Sequence, residues 1–292
     1  MTDVGIVLLN HKGSHFIENL YLNIFNKIGI EPNRWIFLIV DNSLEENESR
    51  IVRDFAKIKN NVIFISSNEN KGYAHGNNLG LRYLSENRIK YGLIINPDIV
   101  FLTQNFIFDF IDLIEINKSI GIIGPKLIDN KGNEISIFPK MNLINALVGS
   151  KKLHSESLAK QVYATMGCCL FVDTYKLNEI GFFDESTFLY REEQILAEKI
   201  INNKLLWYVL PNVEVLHNHT RKIQSTAKLL QHKIYEYRST KIYFKKYLNY
   251  SNYYIFLYTT LFLLKTITYY NIVIILNLNN KLKKYFSPIS SQ

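Results

Sequence analysis

The stretch Tyr91–Phe101, YGLIINPDIVF, decides how the chain folds. Leu93-Ile94-Ile95 has the length and β-branching of a buried strand, and the run stops at Asn96-Pro97-Asp98. Pro97 has no N–H and a fixed φ, so the strand leaves its sheet there. Asp98 is thereby delivered to the carboxyl end of a strand, where open α/β sheets place their ligands. A carboxylate there can hold a divalent cation that bridges nucleotide phosphates. It can equally close a turn or cap the next helix.

Working outward, the same pattern recurs. Val4–Leu9 is an apolar run ending in Asn10-His11-Lys12-Gly13, and Phe16–Ile28 follows with Phe16, Leu20, Ile24 and Ile28 at helical spacing. Trp35–Val40 predicts a second buried strand, ending in Asp41-Asn42-Ser43. Helix (Glu48–Lys57), strand (Val62–Ser66) and helix (Asn77–Ser85) then lead into the strand that ends at Asp98. This alternation predicts an α/β fold, a mostly parallel sheet with helices on both faces. Such a sheet gathers its strand ends along one edge, so Asn10, Asp41 and Asp98 are expected in one crevice. Asp41 can accept hydrogen bonds from a ribose or a base, or close an Asx-turn.

Between these ends lies Asn68-Glu69-Asn70-Lys71-Gly72-Tyr73-Ala74-His75-Gly76-Asn77-Asn78. Gly72 and Gly76 allow close backbone approach, and a helix start offers N–H groups to an anion. The segment is neither a Walker loop nor GxGxxG, and contact with a nucleotide is the expectation it supports.

The chain has 292 residues, 47% hydrophobic and 21% charged, which suits one large domain with an appendage. A net charge of +8 favours an anionic partner. Nucleic acid is disfavoured, because the positive charge concentrates beside apolar helix and not among stacking aromatics. The two cysteines, Cys168 and Cys169, are adjacent and have no other partner, which fits a reduced, cytoplasmic setting. The first residues, MTDVGIVLLNHKG, lack a basic leader and are expected to be a strand.

Gly121–Lys160 reads as strand, turn (Asp129-Asn130-Lys131-Gly132), strand and a less patterned stretch over the site. Met166–Val172 reads as a buried strand. Gly181-Phe182-Phe183-Asp184-Glu185 leads to Arg191-Glu192-Glu193, which opens a helix to about Asn202. Asp184 has a binding role or terminates a turn. By helical geometry Glu193 shares a face with Leu196, Ala197 and Ile200 and is expected to point into packed structure, with Glu192 nearer the boundary. A carboxylate half-buried at a cleft gains the raised pKa that suits a general base. Trp207–Leu210 and Val213–Leu216 precede His217-Asn218-His219, and neutral imidazoles ligate divalent ions.

In this order VGIVLLNHKG, LIVDNS, NENKGYAHGNNLG, LIINPDIVF and MGCCLFVDTYKLNEIGFFDESTFLYREEQILAEKI resemble the blocks of family 2 glycosyltransferases, nearest to rhamnosyltransferase-like members that build bacterial surface polysaccharides. The resemblance spans residues 4–226 and implies a GT-A fold, a nucleoside-diphosphate-sugar donor, a divalent metal (Mg²⁺ or Mn²⁺) and inversion at the anomeric carbon. Asn96-Pro97-Asp98 stands where the family has Asp-X-Asp, with Asn96 in place of the first carboxylate, which leaves Asp98 as the main acidic ligand. Glu192-Glu193-Gln194-Ile195 stands where the family reads Glu-Asp-X-Asp. Glu193 is then the base, and the last aspartate is replaced by Ile195. The resemblance places His217, better aligned than His219, beside metal and diphosphate. It implies nucleotide or donor contacts for Asn10, Asp41, Asn68, Gly72, Asn77, Asn96 and Asp98. It sets Gly167, Asp184 and Glu192 near the donor sugar or acceptor, and assigns the metal to Asp98 and His217.

From Ala227 the character changes. Leu230, Ile234, Tyr237, Phe244 and Leu248 form a helical stripe, Tyr253–Leu264 is almost wholly apolar, and Lys265 interrupts the apolar pattern before Ile267–Leu278. A run this short does not span a bilayer, which needs about 20 residues. An interfacial or docking helix anchored by lysines fits, and so does a pair of core-packing helices. The expected organisation is a catalytic domain, 1–226, and a C-terminal helical appendage, 227–292, that meets an anionic membrane. The expected function is sugar transfer to a saccharide, lipid-linked at the inner face of the cytoplasmic membrane. A sugar nucleotidyltransferase, or a non-catalytic nucleotide-sugar-binding scaffold, is the alternative.

Overall fold

The apolar runs form the strands of one sheet. The computed structural model describes residues 3–148, 158–218 and 225–268. Its strands are β1 (Val4–Asn10), β2 (Trp35–Asp41), β3 (Val62–Ser66), β4 (Tyr91–Ile95), β5 (Ile99–Phe101), β6 (Ile120–Ile128), β7 (Ile137–Phe138), β8 (Lys160–Gln161), β9 (Ala164–Thr165), β10 (Cys169–Asp173) and β11 (Leu206–His217). The helices are α1 (Ser14–Lys27), α2 (Glu46–Lys57), α3 (Tyr73–Glu86), α4 (Phe106–Ile116), α5 (Leu143–Val148), α6 (Thr174–Glu179), α7 (Glu192–Asn202) and α8 (Thr226–Ile242), with a further helix, α9, over residues 252–268.

Among the described residues the main sheet runs β3-β2-β1-β4-β10-β6-β11-β5, with β8 against β11. The pairs β3–β2, β2–β1, β1–β4 and β6–β11 are parallel, while β10 enters antiparallel between β4 and β6 and β5 returns antiparallel along β11. The expected mixed, mostly parallel sheet is therefore present, with its parallel pairs in two groups separated by β10.

Successive residues of a strand face opposite sides. Ile6 and Leu8 meet Ile17, Leu20 and Ile24 of α1 and Phe106 and Phe110 of α4, whereas Val7 and Leu9 meet Leu84 of α3. Leu170 and Val172 share that second face with Leu177 of α6 and Leu196, Ala197 and Ile200 of α7. Both faces are covered, which is why the central strands read as continuous apolar runs.

Three local features depart from the expectations. Helix α3 begins at Tyr73, directly after Gly72, and not at Asn77. The two apolar runs around Pro211 are one strand, β11, whose register with β6 shifts between Leu210 and Glu214. A proline is tolerated at such an irregularity because it has no N–H to pair. The strand expected from Met166 begins at Cys169.

The C-terminal segment lies against the core. Tyr243–Tyr247 forms a π-helical stretch after α8. Tyr243, Phe244, Tyr258 and Phe262 bury together with Met141 and with Ile195 of α7. Of the two arrangements open for these helices, packing on the core is observed. Helix α9 nonetheless turns Tyr253, Phe256, Leu263, Leu264 and Ile267 to solvent. Residues 269–292, which include Ile267–Leu278 beyond its second residue, lie outside the described residues, as do His219 and residues 220–224.

Candidate active site

Because β1, β2 and β3 run parallel, Asn10 pairs in register with Asp41 and Asp41 with Ser66, and Ile95 of β4 lies level with Leu8. The polar residues that follow these strands therefore share one edge. Asn10 donates from Nδ2 to Asp41 Oδ1 at 2.9 Å and accepts from the Gly13 N–H at 3.0 Å. Asp41 Oδ1 also accepts from the Ser43 hydroxyl at 2.7 Å, and Oδ2 accepts from Ser49. Both oxygens of Asp41 are thus engaged within the chain, Oδ1 by the turn and Oδ2 by Ser49 of α2.

Antiparallel β10 brings its first residues to the same edge. Cys169 pairs with Ile95, and the Asn96 N–H donates to the Cys168 carbonyl at 2.9 Å. Beyond Pro97, the Asp98 Oδ2 lies 3.4 Å from His217 Nε2, because Ile99 of β5 pairs with His217 of β11. A strand-end carboxylate and a strand-end imidazole about 120 residues apart in sequence are thus neighbours. Among the described residues no group of three or more His, Cys, Asp and Glu forms a cation cage.

The loop at Gly72 is fixed by amides not singled out from the sequence. Asn42 Nδ2 donates to Asn70 Oδ1 at 2.9 Å, and Asn70 Oδ1 accepts from the Gly72 N–H at 3.0 Å. Gly72 has φ +98° and ψ −171°, and its α-carbon lies under the Phe188 carbonyl, which accepts the Tyr73 N–H at 3.1 Å. Asn68 adopts a positive φ earlier in this loop. Asn77 is buried within α3 and donates to the Tyr73 carbonyl at 3.0 Å. It stands behind the loop and not at its surface.

At the start of α7, Glu193 Oε1 accepts from the Gly167 N–H at 3.0 Å, and a methyl group at Gly167 would sit 2.6 Å from that oxygen. Tyr73 donates its hydroxyl to the Gly167 carbonyl at 2.6 Å, so one glycine peptide joins α3 to the acidic turn. Burial raises the pKa of Glu193, and the Gly167 N–H and the Arg191 guanidinium oppose that rise. Glu192 is only 5% exposed, has Oε1 without a hydrogen-bond partner, and is pushed up to about 8 by burial and then by Glu193. Burial thus favours the protonated form at Glu192.

The expected facing of the two glutamates is reversed: Glu192 is the buried one and Glu193 is partly exposed. The cause is that Gln194 through Glu198 are all buried, covered by the sheet on one side and by the C-terminal helices on the other. An apolar face then no longer distinguishes inside from outside. Asp184 points to the same helices. Tyr247 donates to its Oδ2 and Lys246 lies 2.5 Å from it, and although burial raises the Asp184 pKa these partners hold it well below the usual range. Glu185 pairs instead with His75 at 2.7 Å and with Arg82.

Residues 3–181 match the family described as Glycosyl transferase family 2. A curated relative, the low-salt glycan biosynthesis hexosyltransferase Agl10 of Haloferax volcanii, is 29% identical over 204 residues, 66% of this chain and 60% of the relative. The chain thus spans less than two thirds of that relative's length. Among solved structures, GalNAc-T7 with UDP, GalNAc and Mn²⁺ superposes with TM-score 0.62 at 12% identity, covering 83% of this chain and 48% of that one. A mannosyltransferase of Pyrobaculum calidifontis, in complex with GDP-Man and Mn²⁺, gives 0.57 at 14% identity, covering 86% and 65%. S. aureus TarS gives 0.54 at 14%, covering 84% and 72%. At these identities the likeness speaks for the fold.

Proposed function

We propose, from the premise that this chain belongs to glycosyl transferase family 2, that it moves a sugar from a nucleoside diphosphate to a hydroxyl of a saccharide acceptor, with inversion. The carrying observation is the Glu193 carboxylate, held by the Gly167 N–H at the sheet edge where Asn10, Asp41, Asn96 and Asp98 also end. An acceptor hydroxyl is a poor nucleophile at neutral pH and must lose its proton as the new bond forms. Glu193 takes that proton, while burial favours the protonated form of Glu192 beside it. Asp41 and the loop Asn68–Gly72 at the start of the expected Asn68–Asn78 segment hold the nucleoside, with buried Asn77 behind that loop.

Asp98 and His217 offer a hard oxygen and an imidazole nitrogen side by side, a donor set that suits Mg²⁺ or Mn²⁺ once diphosphate and water fill the other positions. Bound there, the cation would neutralise charge on the leaving diphosphate. We expect diphosphate affinity to rise with divalent metal and Asp98→Ala to abolish that dependence. Calorimetry that gives the parent equal affinity in metal and in chelator would remove the metal from this reading.

The reading as a whole is tested by thermal denaturation with nucleoside diphosphates and nucleotide sugars, each with Mn²⁺ or Mg²⁺. A bound ligand at a hundred times its Kd adds about 2.7 kcal/mol. One base is expected to stabilise the protein clearly above the others. If none does so at about 1 mM, the upper end of ordinary substrate affinity, the donor assignment fails.

The division into a catalytic domain, 1–226, and a helical region, 227–292, belongs to the same proposal, with the latter meeting the inner face of the cytoplasmic membrane and a lipid-linked acceptor. No helix among the described residues is long and apolar enough to cross a membrane. Support comes from α9, where Phe256 is 70% and Leu263 53% exposed on a side away from buried Tyr258 and Phe262. Lys265 ties α9 to the carbonyl of Leu147 in α5, whose Ile144 and Val148 are also exposed. Truncation after Thr226 would uncover Ile195, so surface substitution is the cleaner test. Phe256→Glu with Leu263→Glu should weaken sedimentation with anionic vesicles at least tenfold, since each such side chain gains about 1.5–3 kcal/mol on burial. Unchanged sedimentation, or none by the parent, would end the membrane assignment.

A further inference from the structure

The match to the family ends at residue 181, eleven residues before the acidic pair. Gly167, inside that span, holds the Glu193 carboxylate, and the turn that leads into the pair is held from elsewhere in the chain. Tyr190 and Arg191 both adopt left-handed backbone, at φ +75° and +74°, although neither is a glycine. Each such residue costs roughly 1–3 kcal/mol and persists only where its surroundings over-determine it. The surroundings here are α8. Ser239 donates its hydroxyl to the Leu189 carbonyl at 2.8 Å, and the Tyr190 hydroxyl pairs with His232 Nδ1 at 2.9 Å. Arg191 donates from Nε to Thr240 Oγ1 at 3.0 Å and lies 3.4 Å from Glu236 Oε1 through Nη2. Phe188, whose carbonyl receives the Gly72 loop, packs its ring against Tyr235 with centroids 4.6 Å apart. Four consecutive residues before the acidic pair are thus each held by one helix, and Arg191 is the residue from which α7 departs.

We propose that α8 is a positioning element for transfer: Glu236 and Thr240 hold the Arg191 guanidinium, and with it the left-handed turn that sets where Glu192 and Glu193 stand. This rests on Glu193 being the base. Arg191 favours the ionised form of both glutamates, so its placement is readable in their titration. The other groups that face the pair are Tyr73, itself pushed up by burial and by Glu193, and buried Cys168, while Glu236, Tyr190 and Tyr258 surround the guanidinium. Arg191 and Glu236 act through the glutamates and are positioning residues.

The test uses the full chain, glutamate-labelled with ¹³C, with the pair's carboxyl signals assigned by their loss in Glu192→Gln and Glu193→Gln. In Arg191→Met the pair should titrate about one unit higher, the usual size of a lost neighbouring charge. In Glu236→Gln combined with Thr240→Val the arginine remains but is no longer held. The titration should move in the same direction, and turnover should fall roughly tenfold with donor KM within about twofold, since misplacing a reacting group by 1 Å can cost up to about a hundredfold. Arg191→Lys, which keeps the charge without the fork, should move the titration less than Arg191→Met and still lose turnover. If the folded double variant keeps both the parent titration and the parent turnover, α8 is packing alone and the proposal falls. The base assignment is judged separately, by whether Glu193→Gln is inactive.

Discussion

Glu193→Gln should lower turnover about a hundredfold or more, the ordinary scale of a lost general base, while donor affinity stays near the parent's. The amide keeps the size of the side chain and can still accept from the Gly167 N–H, so the turn that presents it is preserved. What it cannot do is take the acceptor proton. The pH dependence gives a second readout with a definite sign. Because burial raises the Glu193 pKa, the parent's rate should climb with pH along a limb lying above about 4.3, the unperturbed glutamate value. In Glu193→Gln that limb should vanish. Glu192→Gln should be milder, since burial pushes Glu192 toward its protonated form and the substitution resembles that form. Steady-state transfer with donor titration on both variants decides the matter. An inactive Glu192→Gln beside a near-normal Glu193→Gln would transfer the base to the other carboxyl.

Gly72→Ala should be among the most destabilising single substitutions in the chain. Its φ of +98° with ψ of −171° is a region that only glycine occupies comfortably. The added methyl would also overlap the Phe188 carbonyl, which is backbone and cannot swing aside. Together these should remove about 3 kcal/mol or more, a fall in Tm of roughly 6 °C or more. Gly132 provides the control, with φ +75° but open space around a new methyl. Gly132→Ala should cost only about 1–2 kcal/mol, the conformational part. Equal Tm values for the two variants would mean that the approach of Gly72 to Phe188 carries no stability.

The central sheet is legible in the sequence because its strands are buried on both faces and end in abrupt polar punctuation: Asn10, Asp41 and Asn96 each follow an unbroken apolar run. Periodicity also located α1, α2 and α7 to within a few residues. The site was legible wherever a residue stands at a strand end, as with the neighbours Asp98 and His217. It was not legible wherever the position depends on a contact from a distant segment. The sequence pattern of α7 implies one buried face, and the C-terminal helices that cover its other face reverse the exposure of Glu192 and Glu193. The resemblance puts Asp184 toward the acceptor or donor sugar, and Lys246 and Tyr247 hold it. Tyr73 and Asn42 are not distinguished by sequence, because a tyrosine or an asparagine in a loop carries no periodic signal. Their roles come from contacts with distant residues such as Gly167 and Asn70.

The antiparallel seat of β10 also governs how the chain is made. Strand β4 leaves the ribosome well before β10, and the intervening residues 96–168 include β6, which joins the sheet on the far side of β10. Until Cys169–Asp173 is synthesised, the unit β3-β2-β1-β4 presents the bare hydrogen-bonding edge of Tyr91–Ile95, five residues buried in the finished protein. At about 5–20 residues per second this edge stands open for several seconds. An unpaired apolar strand of that kind recruits other strands, including those of neighbouring nascent chains. Slower translation across residues 96–173 would lengthen the interval in which that recruitment competes with the insertion of β10.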